Sequence, residues 1–208
     1  SLLGGRDLHV PSDLSSAAFF LAAALLVPGS CLTIQEVGLN PTRSALLDFL
    51  AGMGAKIRVT EVQARNGELV GDIRVEHAPL RGGVIEGAAT AALIDEIPVL
   101  AVLGAASDEG LTVRDARELR IKETDRIATV AENLRRMGVE VEEQPDGMVI
   151  PGKQRFRGAE LDSFGDHRIA MAFAVAALAA GGDCVVRNAG AASVSFPEFW
   201  ETLSRVAL

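Results

Sequence analysis

Three stretches of this chain are apolar on every face. Residues 17–26 (AAFFLAAALL), 99–106 (VLAVLGAA) and 169–178 (IAMAFAVAAL) contain no charged side chain. An amphipathic surface helix keeps a polar stripe, so a helix apolar all round is a buried one. Each stretch follows an acidic start, at Asp13, Asp95 and Asp166. Each is followed by glycine (Gly29, Gly110, then Gly181 and Gly182) and a strand-like run at 32–34, 111–113 and 185–186. The Asp anchors stand 82 and 71 residues apart, so the chain repeats itself.

The copies continue alike. An amphipathic helix is predicted over 42–50, stopping at Gly52 and Gly54, and another over 124–137, stopping at Gly138. Strand pairs follow, 56–59 with 72–75 and 139–142 with 147–150. Gly67 and the run Pro145, Asp146, Gly147 supply the turns. The third copy reaches a helix over 196–206 and ends at Leu208, without closing strands. The unit is β-α-β-α-β-β, about 70–80 residues long. The expected fold is α/β (α+β). Residues 1–208 form a single domain, with repeats at roughly 7–80, 81–158 and 159–208, parallel buried helices inside and sheets outside.

Helix N-termini carry partial positive charge and free N–H groups. Three helices capped by Asp at equivalent points would aim these ends at one face and favour an anion there. For Asp13, followed by neutral residues, capping alone is sufficient. Asp95 with Glu96, and Asp166 with His167 and Arg168, carry charge that capping does not require.

Composition narrows the function. Net charge is −8, aromatics are 4%, apolar residues 49% and charged residues 23%, which fits a folded core and argues against nucleic acid as a partner. The apolar helical runs fall short of the roughly 20 residues that span a bilayer, so no membrane partner is expected. With no initiator Met and no signal segment, the chain reads as a cytoplasmic fragment beginning at residues 1–5 (SLLGG). Cys31 and Cys184 each open a strand-like run. With three histidines and no close ligand spacing they are expected to be small buried thiols, not zinc ligands.

The chemistry is concentrated in residues 120–126 (RIKETDR), where five of seven side chains are charged and both signs are mixed. Such a run also suits a solvated helix face with i,i+4 ion pairs. Arg120, Lys122, Arg126 and Arg168 could converge on the helix N-termini, where forked guanidiniums suit carboxylate and phosphate and lysine adds a point charge. Asp95 and Glu123 would add carboxylates able to move protons. A surface salt-bridge network is the competing reading. His167 suits a helix-start hydrogen bond better than the role of base.

Residues 120–126, together with 165–171 (GDHRIAM), 195–198 (SFPE), 10–19 (VPSDLSSAAF) and 93–98 (LIDEIP), resemble the EPSP synthase family of enolpyruvyl transferases, in order along the whole chain. The resemblance implies a fold of two domains with three such repeats each, this chain being the C-terminal one. It implies transfer of the enolpyruvyl group of phosphoenolpyruvate to the 5-hydroxyl of shikimate 3-phosphate, through a tetrahedral intermediate, with release of phosphate. It places Asp95 on the shikimate hydroxyls as a candidate base and Lys122 on shikimate 3-phosphate. Glu123 becomes a candidate proton-transfer group at the phosphoenolpyruvate methylene. Arg126 and Arg168 would hold the phosphoenolpyruvate carboxylate and phosphate, in the pocket for which glyphosate competes. No metal or organic cofactor is implied.

Two departures stand out. The family's N-terminal Lys and Arg motif and the complementary N-terminal domain are absent from these residues, so the chain alone is expected to be inactive. Val194 replaces a lysine often found before the Ser-Phe-Pro run. A UDP-N-acetylglucosamine enolpyruvyl transferase shares the implied fold and donor; the 120–126 and 166–168 motifs favour the shikimate enzyme. A non-catalytic anion-binding module is the alternative from another class. Asp95, Glu123, Arg126 and Arg168, all present, argue against it.

Overall fold

A computed structural model describes residues 7–9, 13–39, 45–65 and 68–207. Residues 42–44 of the expected second helix, the Gly67 turn, residues 10–12 of the 10–19 motif and Leu208 lie outside them.

The repeat is written in the sheets. Strand β1 (Asp7–His9) runs parallel to β2 (Cys31–Gly38), with helix α1 (Leu14–Leu26) as the crossover. Beyond β2 lie β4 (Glu68–Glu76) and then β3 (Lys56–Arg65), both antiparallel to their neighbours, after α2 (Ala45–Gly52). The second sheet has the same order and directions. Its strands are β5 (Gly83–Ile85), β6 (Leu111–Val113), β8 (Gly147–Ile150) and β7 (Glu142–Gln144). Its crossover carries a short α3 (Ala88–Leu93) before α4 (Ile97–Ala106), and α5 (Arg126–Arg136) precedes β7. The third sheet has two parallel strands, β9 (Glu160–Asp162) and β10 (Val185–Arg187), joined by α6 (His167–Leu178). Helix α7 (Phe199–Val206) follows and, among the described residues, no counterpart of β3 and β4.

Helices α1, α4 and α6 pack against one another in pairs and form the centre of the core. Every residue from Ala17 to Leu25, Ile97 to Ala105 and Ile169 to Ala176 is buried, as uniformly apolar helices require. Small side chains permit the close approach. A Cβ on Gly104 of α4 would lie 2.3 Å from the Leu111 Cβ of β6. The turn before β6 needs Gly110, whose φ is +86° and whose Cβ would meet the Ile150 carbonyl at 2.1 Å. The Ser-Phe-Pro run serves the core, since Phe196 packs on Phe20 with ring centroids 5.9 Å apart and Phe199 on Phe19 at 6.1 Å.

Four expectations need correction. Asp13 and Asp166 cap their helices, accepting the N–H of Ser15 at 3.1 Å and of Arg168 at 2.9 Å, but Asp95 does not. Helix α4 starts one residue later than a cap at Asp95 requires. Glu96 occupies the cap position with no side-chain bond, and Pro98 in the first turn has no N–H to offer. Strand β7 begins at Glu142, not 139: the Val139 N–H closes α5 on the Leu134 carbonyl, and the Glu140 backbone is held by the Gln154 side chain. Strands β3 and β4 extend well past 59 and 72, through register shifts between Thr60 and Gln63 and between Ile34 and Val37. Cys31 and Cys184 are free but half-buried, Cys31 opening β2 and Cys184 standing just before β10, both at the ends of strands and not in their middles. No described helix is long and apolar enough to cross a membrane.

Candidate active site

The starts of α1, α4 and α6 meet. The Ser15 hydroxyl, in the first turn of α1, donates to Glu96 Oε1 at 2.6 Å at the start of α4. Arg168, in the first turn of α6, donates from Nη1 to the Asp95 carbonyl at 3.3 Å and to Glu96 Oε1 at 3.4 Å. A cavity of about 270 Å³ opens beside this junction, lined by Leu14, Ser15, Ile94, Asp95 and Glu96 and by residues of α2 and α3.

Residues 120–126 reach the junction from the second repeat. They leave β6 through a 3-10 turn (Arg117–Ile121), and the Asp125 side chain then caps α5 on the Ala128 N–H at 3.0 Å. That cap makes Arg126 the first residue of α5 and turns it into the protein, where it is 1% exposed. All its nitrogens are engaged. Nε donates to Asp166 Oδ2 at 2.8 Å, Nη1 to Asp95 Oδ1 at 3.1 Å, and Nη2 to Glu123 Oε2 at 2.5 Å and Asp166 Oδ1 at 3.3 Å. Thr124 adds its hydroxyl to Asp166 Oδ2 at 3.1 Å.

Lys122 stands outside this knot, 2.7 Å from Glu118 on its own turn and 3.8 Å from Asp95. Glu123 and Asp95 are half exposed, with 48% and 44% of their side chains accessible, and face solvent across the Arg126 guanidinium. His167 Nδ1 lies 3.7 Å from Glu123 Oε1, too far for a hydrogen bond. Arg168 is 13% exposed, with its guanidinium 6.0 Å over the Phe19 ring. Among the described residues only its Nη1 is bonded, leaving Nε and Nη2 for a ligand.

The junction therefore brings together Asp95, Lys122, Glu123, Arg126 and Arg168 from two repeats. Arg120 does not join them. It turns to the β7–β8 connection, donating to the Pro145 and Gln144 carbonyls at 2.9 and 2.6 Å and pairing with Asp125 at 2.7 Å.

Burial pushes the Asp166 carboxyl up. The hydrogen bond and charge of Arg126, the Arg168 N–H and the Thr124 hydroxyl outweigh it and leave Asp166 below the usual carboxylate value. Glu96 is the opposite case, as burial pushes it above the usual value against the pull of Ser15 and Arg168. Burial, then the Arg168 charge, lowers His167, so a neutral imidazole is favoured.

Sequence reading singled out the charges of Asp95, Glu96 and Asp166 but not their partners. Ser15 and Thr124 carried no signal of their own, because Ser15 meets Glu96 across 81 residues and Thr124 meets Asp166 across 42. Chemically, the site offers an arginine two of whose nitrogens have no partner among the described residues, a lysine, and two accessible carboxylates, groups of the kind that bind anions and exchange protons. Among the described residues, no group of three or more His, Cys, Asp or Glu side chains could hold a metal ion.

The family model described as EPSP synthase (3-phosphoshikimate 1-carboxyvinyltransferase) matches residues 2–203. The 3-phosphoshikimate 1-carboxyvinyltransferase of Solibacter usitatus (strain Ellin6076) is 73% identical over 205 residues, 99% of this chain and 48% of that protein. The one from Koribacter versatilis (strain Ellin345) is 55% identical over 197 residues, 95% and 46%. Among solved structures, an EPSP synthase from Acinetobacter baumannii superposes with a TM-score of 0.89 at 36% identity, over 95% of this chain and 46% of that one. The enolpyruvyl transferase NikO from Streptomyces tendae shares the fold, with a TM-score of 0.74 at 20% identity, over 93% and 42%. The chain spans about half the length of the curated relatives it matches.

Proposed function

This chain belongs to the EPSP synthase family, and from that premise we propose that it is the C-terminal half of an enzyme transferring the enolpyruvyl group of phosphoenolpyruvate to the 5-hydroxyl of shikimate 3-phosphate. The observation that carries the reading is the convergence of Asp95, Lys122, Glu123, Arg126 and Arg168 where three buried helices begin. Residues 1–208 act as one domain of three repeats, in a cytoplasmic enzyme that uses no metal or organic cofactor.

Each role is the one the family resemblance implies, and the chemistry of the group suits it. Arg168, with two nitrogens unbonded among the described residues, holds the carboxylate or phosphate of phosphoenolpyruvate. Arg126 completes that grip by giving up Glu123 and Asp95, whose outer faces are open to solvent, while Asp166 keeps its inner edge fixed. Glu123, released, moves the proton at the methylene carbon. Asp95 anchors the shikimate hydroxyls and takes the proton of the attacking one. Lys122 swings from Glu118 to the shikimate phosphate. An anion shaped like phosphoenolpyruvate, glyphosate among them, competes at the two arginines.

The other wall of the cleft comes from a complementary N-terminal half. The same half closes the third sheet with a strand on β10; the four-stranded first and second sheets, beside two strands in the third, support this. The isolated chain is expected to show no turnover, and adding the folded complementary half to restore phosphate release from phosphoenolpyruvate and shikimate 3-phosphate. No phosphate release from two folded, mixed halves would falsify the reading.

A further inference from the structure

Arg168 ends a chain of contacts that reaches through all three repeats. Its Nη1 meets Glu96 Oε1 at 3.4 Å, and the same oxygen accepts the Ser15 hydroxyl at 2.6 Å. Ser15 belongs to the first repeat, Glu96 to the second and Arg168 to the third. The Glu96 side chain is 9% exposed and that of Arg168 13%, so the pair is screened from bulk water. Burial of this carboxylate is costly without a built partner set. Capping does not explain it, since Glu96 makes no cap bond on α4. Its neighbours are the charged groups Asp13 of α1, Asp95 and Arg168.

We propose that Glu96 is a positioning residue for Arg168. The Ser15 hydroxyl fixes the carboxylate, the carboxylate and the Asp95 carbonyl take one edge of the guanidinium, and the Phe19 ring lies 6.0 Å beneath. One edge is thereby committed to the protein and the other, Nε and Nη2, is presented to the anion. Because all three repeats contribute, a shift of any one helix start relaxes the arginine. A guanidinium that keeps its charge but loses this orientation binds a forked anion less well, because order must then be imposed at binding.

The proposal rests on the reading of Arg168 as a phosphoenolpyruvate ligand, and two measurements separate the two. The first is NMR of the Arg168 guanidinium in the 208-residue chain without ligand, comparing wild type with Glu96→Gln, which keeps size and the Ser15 bond but not the charge. Slow rotation with resolved Nη signals is expected in the wild type, and averaged signals in the variant. The second is steady-state kinetics in the enzyme assembled with its complementary half. Glu96→Gln is expected to raise KM for phosphoenolpyruvate about tenfold with kcat within about threefold and KM for shikimate 3-phosphate unmoved. Ser15→Ala, which leaves Glu96 in place, should give the same pattern more weakly and serves if Glu96→Gln does not fold. Unaltered Arg168 dynamics in both variants overturn the proposal, whatever the kinetics. Loosened dynamics with an unchanged KM uphold the positioning and overturn instead the assignment of Arg168 to phosphoenolpyruvate.

Discussion

Arg126 and Asp166, 40 residues apart in sequence, meet as a buried fork, with Nε on Oδ2 at 2.8 Å and Nη2 on Oδ1 at 3.3 Å, and side chains 1% and 0% exposed. Asp166 also caps α6 through the Arg168 N–H. One carboxylate thus locks the inner edge of one arginine and starts the helix that carries the other.

Replacing Asp166 by Ala should therefore be costly for the fold. It leaves a guanidinium buried beside half-exposed carboxylates and strips a helix cap. Breaking a buried pair costs roughly 3–5 kcal/mol and a lost cap about 1 kcal/mol, with shared contacts making the sum less than additive. Urea denaturation of the chain is expected to show a midpoint lowered accordingly with an unchanged slope; a loss under about 1 kcal/mol contradicts the burial argument.

Arg168→Lys separates charge from geometry at the second arginine of the site. Lysine keeps the positive charge but has no planar fork. In the assembled enzyme KM for phosphoenolpyruvate should rise by about 10- to 150-fold, the equivalent of roughly 1.5–3 kcal/mol for a charge-assisted contact. KM for shikimate 3-phosphate should barely move. Equal changes in both constants would show that Arg168 supports the cleft as a whole.

Stability against pH should carry two opposed signatures. Asp166 is held below its usual 3.8, so its contribution is present above that value and is lost as pH falls through its folded value. Glu96 is raised above its usual 4.5, so the folded state favours its protonated form, and its contribution weakens as pH rises from that value through the folded one. The difference in unfolding free energy between wild type and Glu96→Gln should accordingly shift against the wild type as pH is raised from about 4.5 toward neutrality. Urea titrations of both chains at a series of pH values check this, and a difference that is flat or reversed removes the case for a strained carboxylate.

Much of the site was legible in the sequence, and the reasons for the rest are specific. The motif at residues 120–126 pointed to Lys122, Glu123 and Arg126 together, and the structure puts Arg126 against Asp95, Glu123 and Asp166 with Lys122 3.8 Å from Asp95, because strand, turn and cap signals fix where that segment emerges. It could not say that Arg126 turns inward and Arg120 outward. Both are arginines of one short segment, Arg120 on the 3-10 turn and Arg126 at the start of α5, and the difference comes from the Asp125 cap and from carbonyls at Gln144 and Pro145 that lie on another hairpin. Asp95 looked like a cap because acid precedes an apolar helix; Pro98 moved the helix start and freed that carboxylate for Arg126.

The sequence by itself determined the threefold repeat and the identity of the buried helices. Both are local properties, since a run of eight to ten apolar residues favours burial whatever it packs against, and glycines with acidic starts mark its ends. Only the tertiary structure decided which charges meet. The contacts of Ser15 with Glu96, Arg126 with Asp166 and Arg168 with Glu96 span 81, 40 and 72 residues, and their energies depend on burial that no single segment creates. The chain therefore announces where its helices begin, and their packing turns those beginnings into a site.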